Sequence, residues 1–330
     1  RVWRAFQGSG KNKHKKIQAL AKSSKLKNEE QYIGLMLQNI KFMEAKPASV
    51  MVTATMSAGK STFINALTGK RVCLSKTLAC TSKLHGIVNK AFEDGYSYKY
   101  DYDLGLTAEP DELLKDNELN ASDKIMTGTH FTGSLGNQRM IISDSPGVNY
   151  SRNQEHKSIT YKYLKGRNYN LLIYIMNATQ LGTNDEDEHL GYVKSVAGKV
   201  PILFVVNKID TFNVEEEDIG SAILCQKEYL SKKGFKNPMV CPVSAKAGYL
   251  SKRFLDGGLS KMEERELYHM VDKFSHMELP SYYYDNFHKI VVRDNSCEEL
   301  QLMKTCGLAY IEKIIIELTT GGKINGANLR

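Results

Sequence analysis

The sequence lacks long apolar runs, closely paired cysteines and internal repeats. No stretch approaches 18 consecutive apolar residues, and no signal peptide or lipidation motif is visible, so we expect no transmembrane helix. The six cysteines form no C-x-x-C pair, which argues against a zinc site and favours reduced thiols. With 42% apolar and 25% charged residues, the disordered, collagen and coiled-coil classes are excluded for most of the 330 residues.

The excess positive charge belongs to one end of the chain. Residues 1–46 hold 11 basic and 3 acidic residues, which accounts for the whole net charge of +8. This argues against nucleic-acid binding as the main role of the body, although a basic arm can contact an acidic surface. Apolar residues at helical spacing within 29–45 predict an amphipathic helix that covers a neighbouring element, with a membrane-lying helix as the alternative.

Short apolar runs alternate with helical patterns from residue 49 onwards. The runs 171–176 and 202–206 are continuously apolar, as expected for strands covered on both faces. The alternation predicts an α/β fold, with a doubly wound, mostly parallel sheet and helices on both faces. Residues 93–138 are predicted to be a surface insertion. The predicted segments are a basic segment and helix at 1–46, an α/β domain at 47–255, a Tyr/His/Met-rich insertion at 256–295 and a C-terminal helix within 296–330.

The first chemical motif is a phosphate-binding loop. Gly59-Lys60-Ser61 is the second half of G-x-x-x-x-G-K-[ST], with Ala54 in place of the first glycine. Inward-pointing backbone N–H groups and the helix dipole would hold anionic oxygens, Lys60 would reach the β- and γ-phosphates, and Ser61 would bind Mg²⁺. A chance G-K-S before a helix is the alternative. The predicted nucleotide-binding residues here are Ser57, Ala58, Gly59, Lys60, Ser61 and Thr62.

The second motif is D-x-x-G after a short strand, formed by Asp144 and Gly147. We predict that Asp144 holds the Mg²⁺ shell through water and that the Gly147 N–H senses the γ-phosphate. Taken alone the pattern is a common turn. Its place in the chain after a phosphate loop favours the nucleotide-binding interpretation.

The third motif recognises the base. A buried strand ends in N-K-x-D, and the Asp210 carboxylate can accept hydrogen bonds from guanine N1–H and the 2-amino group, a donor pair that adenine lacks. The sequence therefore predicts selection of GTP over ATP, although the motif alone could be a helix cap after a strand. Its predicted residues are Asn207, which braces the loops, Lys208, which lies over the base, Asp210, and the S-A-K group Ser244, Ala245 and Lys246, in which the Ala245 N–H meets guanine O6.

Three stretches together resemble the bacterial dynamin-like GTPases. They are A-T-M-S-A-G-K-S-T-F-I-N-A-L at 54–67, D-S-P-G-V-N at 144–149 and M-N-A-T-Q-L-G-T-N-D-E-D at 176–187. The resemblance covers about 47–255 and a predicted final helix at 297–319. It implies a P-loop GTPase domain of the dynamin type that uses Mg²⁺ and hydrolyses GTP to GDP and phosphate. The helices at 29–45 and 297–319 then either form part of a neck bundle or pack on the sheet.

The resemblance also implies roles for individual loop residues. Ser57 would help to position the attacking water and a charge-compensating cation, and Met56 stands where eukaryotic dynamins usually have glutamine. Thr81 would be the threonine of the first switch, binding Mg²⁺ and orienting the water, with Thr77 as the alternative. The predicted catalytic residues are Ser57, Lys60, Thr81 and Gly147, and the predicted metal ligands are Ser61, Thr81 and Asp144.

The residue after D-x-x-G bears on the rate of hydrolysis. Ras-like enzymes have a water-orienting glutamine there, but this chain has Val148, which cannot orient water. Arg71 is the only arginine near the first switch, and no arginine finger within the chain is evident. We therefore expect slow hydrolysis by the monomer, and the resemblance implies activation by a homodimer that pairs the G domains across their nucleotide faces.

The function predicted is a cytoplasmic GTPase that acts in membrane-associated or assembly processes. Its partners are GTP, GDP, a second copy and an anionic membrane at the inner face, with nucleic acid less favoured. Two alternative functions would use the same nucleotide pocket. One is a regulatory switch acting on a non-membrane partner such as replication or ribosomal machinery, and the other is a nucleotide-binding scaffold without hydrolysis, suggested by Ala54 and Met56.

Overall fold

A nine-stranded sheet runs through the described part of the protein. The computed structural model describes residues 19, 30–55, 57–73, 83–100, 104–105, 124–146, 154–180, 182–213, 218–277, 279–288 and 290–321. The strands are β1 (Ala48–Ala54), β2 (Leu84–Asn89), β3 (Tyr98–Tyr100), β4 (Leu104–Gly105), β5 (Lys124–Thr129), β6 (Met140–Asp144), β7 (Leu171–Asn177), β8 (Ile202–Asn207) and β9 (Met239–Val243).

Helices follow most of the strands. The α-helices in the described residues are α1 (Glu30–Glu44), α2 (Lys60–Thr68), α3 (Gln154–Gly166), α4 (Asn184–Ala197), α5 (Ile219–Lys232), α6 (Ala245–Leu255), α7 (Lys261–Ser275), α8 (Leu279–Asn286), α9 (Glu298–Thr305) and α10 (Leu308–Thr320). Two short 3₁₀ turns, Gly133–Asn137 and Ile209–Thr211, lie between them.

The sheet order is β4-β3-β5-β2-β6-β1-β7-β8-β9. The half from β6 to β9 is parallel throughout, whereas β2 runs antiparallel to β6 and β3 runs antiparallel to both of its neighbours. All seven residues of β7 are buried, because the strand lies inside the sheet between β1 and β8 and is covered on both faces. The predicted α/β fold with a mostly parallel sheet is confirmed, and it brings the carboxyl ends of β1, β7, β8 and β9 to one edge.

The region 93–138 departs from the prediction of a surface insertion. Its strand β5 pairs in parallel with β2, and β3 and β4 extend the same sheet. The internal position of β5 is hidden in the sequence because two of its buried residues, Thr127 and Thr129, are polar. Thr127 is satisfied by His85 on the next strand, with 2.7 Å between Oγ1 and Nε2.

The predicted single helix at 297–319 is wrong, since two helices occupy this range. The helical conformation is interrupted at Gly307, whose φ of 87° lies in the left-handed region. Gly307 is the residue that immediately precedes α10. A side chain there would also collide with the Pro242 carbonyl. The apolar face of α10, formed by Ile311, Ile314, Ile315 and Leu318, is buried, and the helix contacts β1 and β7.

The helix before the sheet, α1, ends at Glu44, just before Pro47, in agreement with the sequence. Ile33 and Phe42 are buried, while Tyr32 and Met43 are exposed. Arg139 Nη1 ties the end of the helix to the body by donating to the Met43 carbonyl at 2.6 Å. No helix in the described ranges combines the length and the apolar composition that a membrane crossing needs.

Candidate nucleotide-binding site

The loop between β1 and α2 has the backbone shape of a phosphate cradle. Gly59 has a φ of 85° and immediately precedes the first residue of α2, and a side chain at this position would collide with the Asn207 amide. Ser57, which is exposed, also has a positive φ of 62°. Non-glycine residues rarely adopt this conformation, and they cluster at functional sites when they do. A tight, preformed turn therefore leads directly into the N-terminus of α2 at Lys60.

Lys60 and Asp144 form a buried ion pair at the bottom of this loop. Lys60 Nζ contacts Asp144 Oδ1, and both side chains are buried. The contact arises because β6 lies beside β1, with Asp144 in register with Val52. The second carboxylate oxygen, Oδ2, is buried and receives no hydrogen bond from a nitrogen or oxygen donor in the described residues. Burial and the Asp144 charge raise the pKa of the neighbouring Cys73 thiol.

These residues fit a magnesium ion. A buried carboxylate with an unpartnered oxygen is a ligand type that Mg²⁺ favours, and Ser61 stands half-buried in the first turn of α2. No group of three or more His, Cys, Asp or Glu side chains gathers in the described part of the chain.

Asn207 at the end of β8 joins the phosphate loop to the base loop. Its Nδ2 donates to the Ala58 carbonyl at 3.0 Å, and its Oδ1 accepts the Ala245 N–H at 3.0 Å. The side chain is 2% exposed, so these bonds are shielded from water. Asn207 thus holds two loops that are far apart in sequence at a fixed separation.

Asp210 lies in the 3₁₀ turn that follows β8. The turn begins after Lys208, whose φ of 69° reverses the chain. The Ser244 hydroxyl donates to Asp210 Oδ1 at 2.6 Å, and Ser244 Oγ accepts the Ala247 N–H at 3.1 Å. Among the described residues no hydrogen bond reaches Asp210 Oδ2. The carboxylate is therefore oriented through one oxygen and has the other available for a ligand.

A cleft of about 450 Å³ connects these groups. Its lining includes Gly59 and Thr62 at the phosphate end and Lys208, Asp210 and Lys246 at the base end. A larger cavity of about 570 Å³ lies between α5 and α8 and has none of the predicted site residues in its lining. We place the site in the smaller cleft because that is where the phosphate loop and the base-recognition residues meet.

The N-A-T-Q stretch adjoins the same edge of the sheet. The Ala178 N–H donates to the Asn207 carbonyl at 3.0 Å, and Asn177 Oδ1 accepts the Thr179 N–H at 3.1 Å. Further along, Glu186 Oε2 accepts the Gly182 N–H at 2.7 Å. Burial raises the pKa of Glu186 to about 7. The stretch is therefore a folded turn that supports Asn207.

Some predicted residues lie outside the described part of the chain. They are Met56, Thr77, Thr81, Gly147 and Val148. The structure consequently brings together the residues of the phosphate loop, Asp144, and the N-K-x-D and S-A-K residues. The roles of Thr81, Thr77 and Gly147 stay predictions. Arg71 is described and exposed.

No sequence motif marks two contacts that α7 makes beside the cleft. Lys273 Nζ on α7 donates to the Asp210 carbonyl at 2.6 Å and to the Phe212 carbonyl at 2.7 Å. Glu266, on the same helix, forms a 3.0 Å ion pair with Lys246. Neither residue carries a motif, so only the packing of α7 reveals them.

Comparisons with known proteins agree with this architecture. The family model described as "Dynamin family" matches residues 50–209. A bacterial dynamin-like protein from Nostoc punctiforme is 28% identical over 177 residues, which cover 49% of this chain and 24% of that protein. A solved structure of an oligomerised bacterial dynamin pair, described in terms of long-range sensing and tethering of membranes, is 18% identical with a TM-score of 0.50. The match covers 96% of this chain and 47% of that one.

The fold is the α/β fold of P-loop GTPases, and the cleft lies at the carboxyl ends of the parallel strands. The match of residues 50–209 to the dynamin family model and the similarity to a bacterial dynamin-like protein agree with the resemblance predicted from the sequence. The chain spans about a quarter of the curated relative and about half of the solved chain.

Proposed function

We propose that the chain binds GTP with Mg²⁺ and hydrolyses it to GDP and phosphate. The observation that carries this proposal is the Asp210 carboxylate, held by Ser244 at one end of a cleft that has the Lys60 loop at the other. A carboxylate at this place can accept both guanine donors. The buried Lys60 ammonium stands at the N-terminus of α2, where triphosphate oxygens would be bound.

The residues of the chain would divide the work of hydrolysis. Lys60 and the loop amides of Ser57, Ala58 and Gly59 would neutralise the developing phosphate charge, which is the main catalytic term in phosphoryl transfer. Asp144 and Ser61 would hold the metal, with Thr81 as a third ligand, and a bound Mg²⁺ supplies charge compensation at the phosphates. The Gly147 N–H would contact the γ-phosphate, and Ser57 and Thr81 would orient water.

The catalytic unit is a pair of G domains. This part of the proposal rests on Val148, which offers no group to orient water, and on the resemblance to dynamins. The proposed partner surface is an anionic membrane. This part of the proposal rests on the basic segment 1–46 and on the membrane tethering described for the similar bacterial dynamin pair. An anionic surface would concentrate the chain and favour pairing.

One experiment tests both activation by pairing and the anionic membrane as partner. Phosphate release per site is measured over a hundredfold dilution range, with GTP and Mg²⁺ in excess. The rate per site should fall about tenfold or more on dilution because pairing follows mass action. At the lowest concentration, vesicles containing phosphatidylserine should restore the rate and vesicles of phosphatidylcholine alone should not.

The control is Lys60→Ala, which removes the phosphate-binding ammonium and should lower the rate at least about a hundredfold. A constant rate per site across the dilution range would contradict activation by pairing. Equal effects of the two vesicle types would contradict anionic lipid as the partner. Release by the wild type that matched the Lys60→Ala background would leave only a nucleotide-binding scaffold.

A further inference from the structure

The helix α7 comes from a part of the sequence in which no motif is found. It carries Leu267, Met270 and Phe274 as its buried face and packs against α6 and α9. Its cleft side presents Glu263 and Glu266 to the base end of the cleft. The helix is therefore a wall of the base pocket and not only a surface elaboration.

Lys273, in the last turn of α7, reaches under the turn that carries Asp210. Its ammonium donates to the carbonyls of Asp210 and Phe212, which flank the end of that turn, at 2.6 and 2.7 Å. Charge-assisted hydrogen bonds of this length are among the stronger ones in proteins. The side chain is half-buried, so water competes only partly for these carbonyls.

The turn is held from two directions. Ser244 fixes the Asp210 side chain by donating to Oδ1, and the Lys273 ammonium fixes the Asp210 main chain by donating to the Asp210 carbonyl oxygen. The bonds inside the turn, Thr211 N–H to the Lys208 carbonyl and Phe212 N–H to the Ile209 carbonyl, fix only its local shape. Its orientation relative to the cleft therefore depends on contacts such as that of Lys273.

We propose that Lys273 is a positioning residue for guanine recognition. By holding the main chain of the turn, it directs the Asp210 carboxylate towards guanine N1–H and the 2-amino group. This inference rests on the proposed function, because it presupposes that the cleft binds a guanine nucleotide. It adds a contribution to base specificity from a helix outside the nucleotide-binding motifs.

The test compares GDP with IDP, whose base lacks the 2-amino group. Calorimetric Kd values are measured for the wild type, Lys273→Met, Lys273→Arg and Lys261→Met, together with thermal unfolding of each variant. Lys261 lies exposed at the start of the same helix and is the matched control. Methionine retains the apolar stem of lysine and removes the ammonium.

We expect the wild type to prefer GDP over IDP by about tenfold or more, the effect of one hydrogen bond to a charged group. Lys273→Met should weaken GDP binding by about tenfold and IDP binding by less, so that the preference shrinks to about threefold. Lys273→Arg should restore most of the preference, since arginine also donates to carbonyls, and Lys261→Met should retain it all. If Lys273→Met does not fold, the milder Lys273→Gln should show an intermediate loss of preference.

Equal losses for GDP and IDP in Lys273→Met would overturn the inference, because a general structural role lowers both affinities alike. An unchanged preference would overturn it as well. Both results leave the proposed function intact if the wild type binds GDP. Failure of the wild type to bind any guanine nucleotide would overturn the proposed function itself, and the inference with it.

Discussion

Asp210→Asn is expected to lower the affinity for GTP about a hundredfold and to create affinity for xanthosine triphosphate. The carboxylate accepts from both N1–H and the 2-amino group of guanine, whereas a carboxamide turns one acceptor into a donor. Two hydrogen bonds to a charged group are worth about 3 kcal/mol or more, which is about a hundredfold in Kd. Xanthine carries an oxygen at C2, which the Asn Nδ2 group can bind. Kd values for both triphosphates check the exchange.

The matched control is Asp272→Asn, which changes an exposed carboxylate on α7. It should leave both affinities within about twofold, since the interactions of an exposed charge are largely screened by water and salt. If Asp210→Asn retained its GTP affinity, the carboxylate would not contact the base. If it lost GTP without gaining xanthosine triphosphate, the effect would be attributed to damage to the turn.

The second large effect is expected at a buried ion pair that is not part of the cleft. Lys252 on α6 and Glu312 on α10 are both 0% exposed and lie 2.5 Å apart between Nζ and Oε1. Lys252 also donates to the carbonyls of Leu67 and Thr132, and Glu312 Oε2 accepts the Ser134 N–H at 3.0 Å. The pair thus ties α10 to the end of the phosphate-loop helix α2.

Lys252→Met should lower the free energy of unfolding by about 3–5 kcal/mol, because Glu312 is left as an uncompensated buried charge. The double variant Lys252→Met/Glu312→Leu should cost clearly less than the sum of the two single variants, since no charge remains buried. Lys246→Met, on the same helix, breaks a pair whose side chains are 45% and 41% exposed and should cost less than about 1 kcal/mol. Denaturant unfolding measures all four.

Strict additivity of the two single variants would show that Lys252 and Glu312 do not act as a pair. A loss for Lys252→Met no larger than that for Lys246→Met would show that the site is hydrated. Either result would mean that the Lys252–Glu312 pair does not tie α10 to α2.

The sequence predicted the parts of the protein in which local spacing dictates geometry. The G-K-S group needs a strand before it and a helix after it, so the position of Lys60 follows from three adjacent residues. The continuous apolar run of β7 admits few other interpretations in an α/β protein. Asn207 bonds to both loops, because a side chain at the end of β8 can reach the neighbouring strand ends.

The features that were missed depend on residues far apart in the chain. His85 and Thr127 satisfy each other across β2 and β5, so their polarity concealed an internal strand. Gly307 is compatible with a continuing helix as far as spacing shows, and only its left-handed φ of 87° and the close approach of the Pro242 carbonyl require glycine there. Lys273 is separated from Asp210 by 63 residues, and no local pattern marks a lysine whose partners are main-chain carbonyls.

The most direct test of the account is calorimetric titration of the wild-type chain with GTP and with ATP, each with and without Mg²⁺. A guanine-specific site should bind GTP in a Mg²⁺-dependent manner and bind ATP at least about a hundredfold more weakly, since adenine leaves the Asp210 carboxylate unpaired. Equal affinity for the two triphosphates, or no uptake of either in the presence of Mg²⁺, would contradict it.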